Sequence, residues 1–221
     1  MNFISLHKKL ERNTGLLIFG ILFVSSIGGL VQVMPVLFQD SLQIAAANTV
    51  PYTSVELAGR DIYIRESCGV CHTQQIRPLL AEVERYGPYS RAGEFVYDRP
   101  FLWGSKRTGP DLHRIGGKYS DDWHYIHLMN PRSVVADSIM PAYPWLTERM
   151  ANQDDDIVPR MKALQLLGHP YTDKDIENAP ATLDGLTEMD VLIVYLQGLG
   201  DSFDPDEAAG DGHGNVNGDR Q

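Results

Sequence analysis

A mainly helical chain is predicted, with one membrane-spanning helix near its N-terminal end and a separate domain of helices and long loops. Three observations predict it. One apolar run is long enough to cross a bilayer. Several later segments carry apolar residues at helical spacing between capping signals. No segment alternates apolar and polar residues as a half-buried strand does. The averages of the 221 residues (43% hydrophobic, 22% charged, net charge −10) hide this division. A mean hydropathy of −0.22 excludes a polytopic membrane protein but not a single span. With 19 basic against 29 acidic residues, the chain is not composed as a nucleic-acid binder. Two cysteines do not make a disulfide scaffold.

Residues 1–14 carry Lys8, Lys9 and Arg12 against Glu11, and no formal charge follows until Asp40. Inside that window residues 15–38, GLLIFGILFVSSIGGLVQVMPVLF, form a run of 24. As a helix it spans about 36 Å, enough for a bilayer core with some tilt. A cleaved signal peptide is the competing reading, because Ala45-Ala46-Ala47 resembles a small-residue cleavage site. The run exceeds the usual signal core of about 7–15 residues, so a retained anchor is expected. The cations before the run and the acids Asp40 and Glu56 after it put residues 1–14 in the cytoplasm and the remainder outside. Ser25 and Gly29 form a small-residue pair on this helix, and Pro35 is expected to kink its exit turn.

Residues 39–54 read as a linker and 55–200 as one domain. Its first helix is expected over Val55–Ser67, capped by Thr53 or Ser54. A second fits Ser120–Asn130, where Ser120 caps, Asp121 and Asp122 favour the positive end, and Pro131 stops it. A third covers Val158–Leu167. The last runs over Thr187–Leu199, with Leu192, Tyr195, Leu196 and Leu199 on one stripe and Gly200 ending it. Residues 201–221 hold six acids (Asp201, Asp204, Asp206, Glu207, Asp211 and Asp219) against Arg220, with many glycines. Such a tail buries too little to offset its ordering entropy and is expected to be disordered.

The chemistry sits at Cys68-Gly69-Val70-Cys71-His72, the C-x-x-C-H signature of c-type haem attachment. Two thiols at this spacing reach the two vinyl groups of one haem as thioethers, and the adjacent His72 lies under the iron. A zinc site would need further Cys or His at suitable spacing, and no second C-x-x-C exists. A thioredoxin-like pair would need a βαβ context. An electron-transfer iron needs a sixth ligand. Among Met129, Met140, Met150, Met161, Met189, His113, His124, His127 and His169, the choice is Met140, because Ser138-Ile139-Met140-Pro141-Ala142-Tyr143-Pro144 is a proline-held loop after a helix. Met129 and Met189 fall in predicted helices, where core packing is expected. His124 and His127 are read as an ordinary i,i+3 pair rather than a second metal site.

Thr108-Gly109-Pro110-Asp111-Leu112 resembles the G-P-x-L segment of class I c-type cytochromes. That resemblance implies a Pro110 carbonyl accepting the His72 imidazole N–H. It also implies a crossing of the first and last helices, with Gly59 allowing close approach and Tyr63 and Tyr195 nearby. The expected domain is therefore class I cytochrome c-like with large loop insertions.

Longer blocks extend the likeness: GRDIYIRESCGVCHTQQIRP, ERYGPYSRAGEFVYDRPFLWGSKRTGPDL, GGKYSDDWHYIHLMNPRSVV, SIMPAYPWL and TEMDVLIVYLQGLG. The chain resembles the monohaem subunit II of cbb3-type cytochrome c oxidase from the span to about residue 200, but not in its acidic tail. The resemblance implies an electron-transfer subunit of a bacterial inner-membrane oxidase, with one covalent haem c outside the membrane. It also implies His72 and Met140 as axial ligands, and as partners a haem–copper catalytic subunit and a dihaem cytochrome c subunit. The chain lacks the Cys-x-x-x-Cys dicopper motif of other oxidase subunits II. Segment 84–107, rich in aromatics and Arg, reads as docking surface. Arg77, Lys106 and Arg107 are expected to pair with haem propionates. The rival readings are the monohaem subunit of nitric oxide reductase, which the quoted blocks disfavour, and an anchored thiol–disulfide protein.

Overall fold

The computed structural model describes residues 3–38, 44–46, 48–153 and 156–203, with side chains from His7 onward. The acidic tail from residue 204, and with it most of the segment expected to be disordered, lies outside the described residues. The chain divides into two units, Met1–Ile44 and Ala45–Gln221.

In the first unit, α1 (Phe3–Arg12) precedes α2 (Thr14–Leu37). The sequence reading did not anticipate α1, although Phe3, Leu6 and Leu10 recur at helical spacing against the charged Lys8, Lys9, Glu11 and Arg12. Asn13 caps α2, its side-chain oxygen accepting the Leu16 N–H at 3.1 Å. α2 is long and apolar enough to cross a membrane, and none of its residues is buried by the chain itself. Pro35 lies inside it, in the last turn.

The second unit is helical, with no strand among the described residues and only two isolated bridges. Its order is α3 (Ser54–Arg65), α4 (Cys68–Cys71), α5 (Leu80–Tyr86), α6 (Asp121–Met129), α7 (Ile157–Leu166), α8 (Asp173–Thr182) and α9 (Glu188–Gln197). Among the described residues, three short 3₁₀ turns cover Ala92–Phe95, Pro131–Ser133 and Pro144–Thr147. The start signals act as expected. Thr53 caps α3 in a reciprocal box with Glu56, Ser120 accepts the Trp123 N–H, and Thr187 forms a box with Asp190 at α9.

The ends differ from expectation. α3 stops at Arg65 because Ser67 turns left-handed at φ +59°, which breaks the helical run before Cys68. α9 stops at Gln197 rather than Leu199, and Gly200, at φ +103°, lies beyond the cap. The sequence reading also missed α5 and α8. α8 buries only Ile176 and Ala179 and contains Pro180, so its periodicity is faint. Its one clear signal is the Thr172–Asp175 capping box.

α3 and α9 form the central crossing. Tyr63 packs edge-on against Tyr195 at 5.7 Å between ring centroids, and Tyr52 tilts against Tyr195 at 5.8 Å. Leu57, Ile62, Leu192 and Leu196 complete this layer, and Leu128, Met161 and Ile176 of α6, α7 and α8 close the core around it. Met189 is fully buried and Met129 packs on the core, as their helical positions led us to expect. Arg65 of α3 holds Glu188 of α9 through two hydrogen bonds, one of them 2.8 Å. Part of the segment read as linker is tied to the domain: the Ala46 N–H donates to the Gly93 carbonyl at 3.0 Å, and the Tyr171 hydroxyl donates to the Tyr52 carbonyl at 2.8 Å.

Candidate functional site

The left-handed Ser67 lifts the chain out of α3 and starts the single turn of α4, which carries Cys68 and Cys71. The His72 N–H donates to the Cys68 carbonyl at 2.8 Å, so both thiols and the imidazole stem from one tight loop. Two anchors hold that loop. The buried Tyr63 hydroxyl donates to the His72 carbonyl, and the Gly109 N–H donates to the Cys71 carbonyl at 3.0 Å.

The His72 ring is fixed separately. Its Nδ1 lies 2.9 Å from the Pro110 carbonyl oxygen. A carbonyl only accepts, so Nδ1 carries the proton and Nε2 keeps the lone pair that a metal would take. Gly109 makes room for this orientation: a Cβ there would sit 2.2 Å from His72 Cε1 and 2.6 Å from Nδ1. Burial lowers the His72 pKa and the Pro110 bond opposes that, so the ring is neutral at pH 7, as a ligand must be. The sequence reading quoted Gly109 without giving it a role. Its signal was its place directly before Pro110.

Cys71 is exposed and Cys68 half-buried. Burial, then the Glu66 carboxylate, pushes the Cys68 thiol up to about 12. A redox-active dithiol needs an accessible thiolate near neutral pH, and Cys68 is tuned the other way.

The proline-held loop carrying Met140 is bound to the end of α6, where the Leu128 carbonyl accepts the Tyr143 N–H at 2.8 Å. Within the loop the Met140 N–H donates to Ser138 Oγ at 3.2 Å, and Met140 is half-buried against the core. Burial first, then the Cys68 and Cys71 thiols, holds the Tyr143 phenol above its usual range.

The three basic residues expected at propionates are placed differently from one another. Arg77 pairs with Glu82. Arg107 also pairs with Glu82, at 3.0 Å, and donates to the Gly104 and Gln75 carbonyls at 2.8 Å each. Those two Arg contacts lower the Glu82 carboxyl to about 2. Lys106 is exposed. The sequence reading did not find Glu82, a lone acid within a short helix. Segment 84–107 turns much of its chemistry inward: Phe95 is buried, stacks on His113 at 4.5 Å and meets Trp103 at 5.2 Å. Glu94 bonds His113 Nε2 at 2.9 Å and pairs with Arg114. Tyr89, Phe101 and Trp103 stay partly exposed.

Among the described residues, no cluster of three or more His, Cys, Asp or Glu side chains is arranged to hold a metal ion. The donors gathered on the attachment loop are a single imidazole with a bare Nε2 and two cysteines. Such a set suits an iron already held in a porphyrin rather than a free ion. A family model described as cytochrome c oxidase, mono-haem subunit/FixO matches residues 7–185. The chain belongs to this family. Membership makes it a subunit of a cytochrome c oxidase with one haem, and the arrangement around His72 fits that group. The matched segment holds every candidate site residue and stops just before α9. No match to a curated protein is found.

Proposed function

We propose that this FixO-family subunit is a membrane-anchored one-electron relay. In this reading residues 15–38 cross the inner membrane with residues 1–14 in the cytoplasm, and residues 39–54 lead to a periplasmic class I cytochrome c-like domain, 55–200. Cys68 and Cys71 would hold one haem c as thioethers, and His72 and Met140 would supply a nitrogen and a sulfur to its iron. The bound haem supplies a reversible one-electron change at its iron. The protein's part is to fix the imidazole, exclude a free sixth position and present the site to partners. Methionine ligation favours the ferrous state, which suits a carrier feeding an oxygen-reducing centre. Electrons would enter from a dihaem cytochrome c subunit and leave to a haem–copper catalytic subunit, where oxygen is reduced.

The observation that carries the proposal is the 2.9 Å bond from His72 Nδ1 to the Pro110 carbonyl, with Gly109 cleared beneath the ring. It leaves Nε2 as a directed lone pair beside two cysteines, which a structural imidazole does not need. The raised Cys68 pKa disfavours the thiol–disulfide alternative. Lys106 is the propionate partner proposed here, because Arg77 and Arg107 are committed to Glu82.

The test is the visible spectrum, haem stain and subunit content of the detergent-purified complex. Haem that survives a denaturing gel, with copper and a dihaem cytochrome co-purifying, is expected. An unstained band supports the dithiol reading, and a complex without copper supports the nitric oxide reductase reading. Met140→Ala should keep covalent haem and lose the methionine–iron charge-transfer band. A band that persists means the ligand is another residue.

A further inference from the structure

His127, in the last turn of α6, has a buried Nδ1 with no hydrogen-bond partner among the described residues. Its ring is not loose. It lies flat on Trp123 at 4.7 Å and 13°, and Trp123 lies flat on Tyr119 at 4.0 Å and 15°. The next residue, Leu128, accepts the Tyr143 N–H through its carbonyl, so this turn of α6 is fastened to the loop that carries Met140. A buried imidazole nitrogen fixed in this way calls for a partner.

We infer that His127 is a positioning residue for the axial sulfur: its Nδ1–H donates a hydrogen bond to the Met140 thioether when the haem site is filled. The inference rests on the assignment of His72 and Met140 as the axial pair. Burial, then the His72 and His124 rings, lowers the His127 pKa, so the imidazole is neutral at pH 7 and has one proton to place. On Nδ1 that proton satisfies the buried nitrogen. A thioether sulfur is a weak acceptor, and a donor aimed at it withdraws electron density from the ligand. The sulfur then stabilises ferric iron less, so the bond raises the reduction potential.

The experiment is a redox titration and visible spectrum of the haem-loaded complex carrying His127→Phe, which keeps a flat ring without an N–H, or His127→Gln, which keeps an N–H donor. His127→Phe should lower the potential and shift the methionine–iron band, and His127→Gln should recover part of both. Wild-type potentials in both variants overturn the inference while the axial assignment stands. A wild-type complex with no methionine–iron band removes the axial assignment itself. Isotope-edited NMR of the histidine ring nitrogens in the ferrous wild-type protein reads the same point without a variant. A protonated His127 Nδ1 is expected, and a bare one overturns the inference. A non-haem metal that is present in the wild type and lost in His127→Phe would overturn it too, by assigning the ring to a second metal.

Discussion

Gly59 of α3 and Val191 of α9 meet backbone to backbone: a Cβ on Gly59 would lie 2.0 Å from the Val191 carbonyl oxygen and 2.7 Å from Tyr195 Cβ. The clash is with main chain, which no rotamer change relieves. In an exposed helix, Ala in place of Gly would stabilise by about 1 kcal/mol. At this crossing overpacking outweighs that gain, so Gly59→Ala should destabilise by about 1–3 kcal/mol. Thermal unfolding of the haem-loaded protein measures it, and an unchanged or raised midpoint would mean that α3 and α9 part easily.

Glu94 joins the long insertion to the segment after Pro110, through His113 and Arg114. Burial pushes its carboxyl up, but the His113 and Arg114 bonds prevail and hold it at about 2, below its ordinary 4.5. A depressed carboxyl contributes stability that is whole above pH 4.5 and lost as the pH falls toward 2. His113 is lowered by burial, so it works in the same direction: the folded state loses ground as the pH falls below 6.5. Glu94→Gln should cost about 2–4 kcal/mol at neutral pH, because it leaves the Arg114 charge half-paired in a buried place. In urea unfolding across pH, the gap between wild type and variant should narrow from pH 4.5 downward. A gap that stays constant into acid would assign the stabilisation to something other than the Glu94 charge.

What the sequence made legible follows from how local each signal is. Cys68, Cys71 and His72 are adjacent, and the caps Thr53, Ser120 and Thr187 act on neighbours three residues away, so a linear reading finds them. Gly59 and the Tyr63–Tyr195 contact were reached only through resemblance, because their partners lie more than a hundred residues away. Glu82 as the shared acid of Arg77 and Arg107 was not legible. Residues 25 positions apart must first be folded together, and until then two arginines near a haem motif look available to propionates. The buried Nδ1 of His127 was hidden for a similar reason, since i,i+3 spacing says which residues share a face but not what that face meets.

Tyr63→Phe tests the anchor on the haem-attachment loop apart from the imidazole. The phenol is buried, and its hydroxyl donates to the His72 main-chain carbonyl, so the ring's packing against Tyr195 survives the substitution while the carbonyl loses its donor. A loss of about 1–2 kcal/mol in unfolding free energy is expected. The methionine–iron band should be unchanged, because the His72 ring is held by Pro110. A lost band would mean that the main-chain anchor also sets the ligand geometry.

Gly109→Ala tests the imidazole itself. The added Cβ would fall 2.2 Å from Cε1, 2.6 Å from Nδ1 and 2.7 Å from Nε2 of His72, so the ring must leave its seat. It cannot tilt away and keep the 2.9 Å bond to Pro110, since both contacts are made by consecutive residues of one strand of chain. Losing that bond frees the ring's orientation and lowers the basicity of Nε2, the changes that typically cost outer-shell variants about 10–100-fold in metal affinity or activity. Haem should still stain on a denaturing gel, because Cys68 and Cys71 are untouched. The visible spectrum should show mixed axial ligation, and electron transfer through the complex should fall by about that factor. Gly59→Ala is the control that separates this from general loosening, because it weakens a crossing that meets His72 only at its main-chain carbonyl, through Tyr63, and leaves the ring's seat on Gly109 and Pro110 untouched. A Gly109→Ala complex with the wild-type spectrum and rate would mean that the His72 ring is not seated on Gly109, and the geometry that carries the proposed function would fall with it.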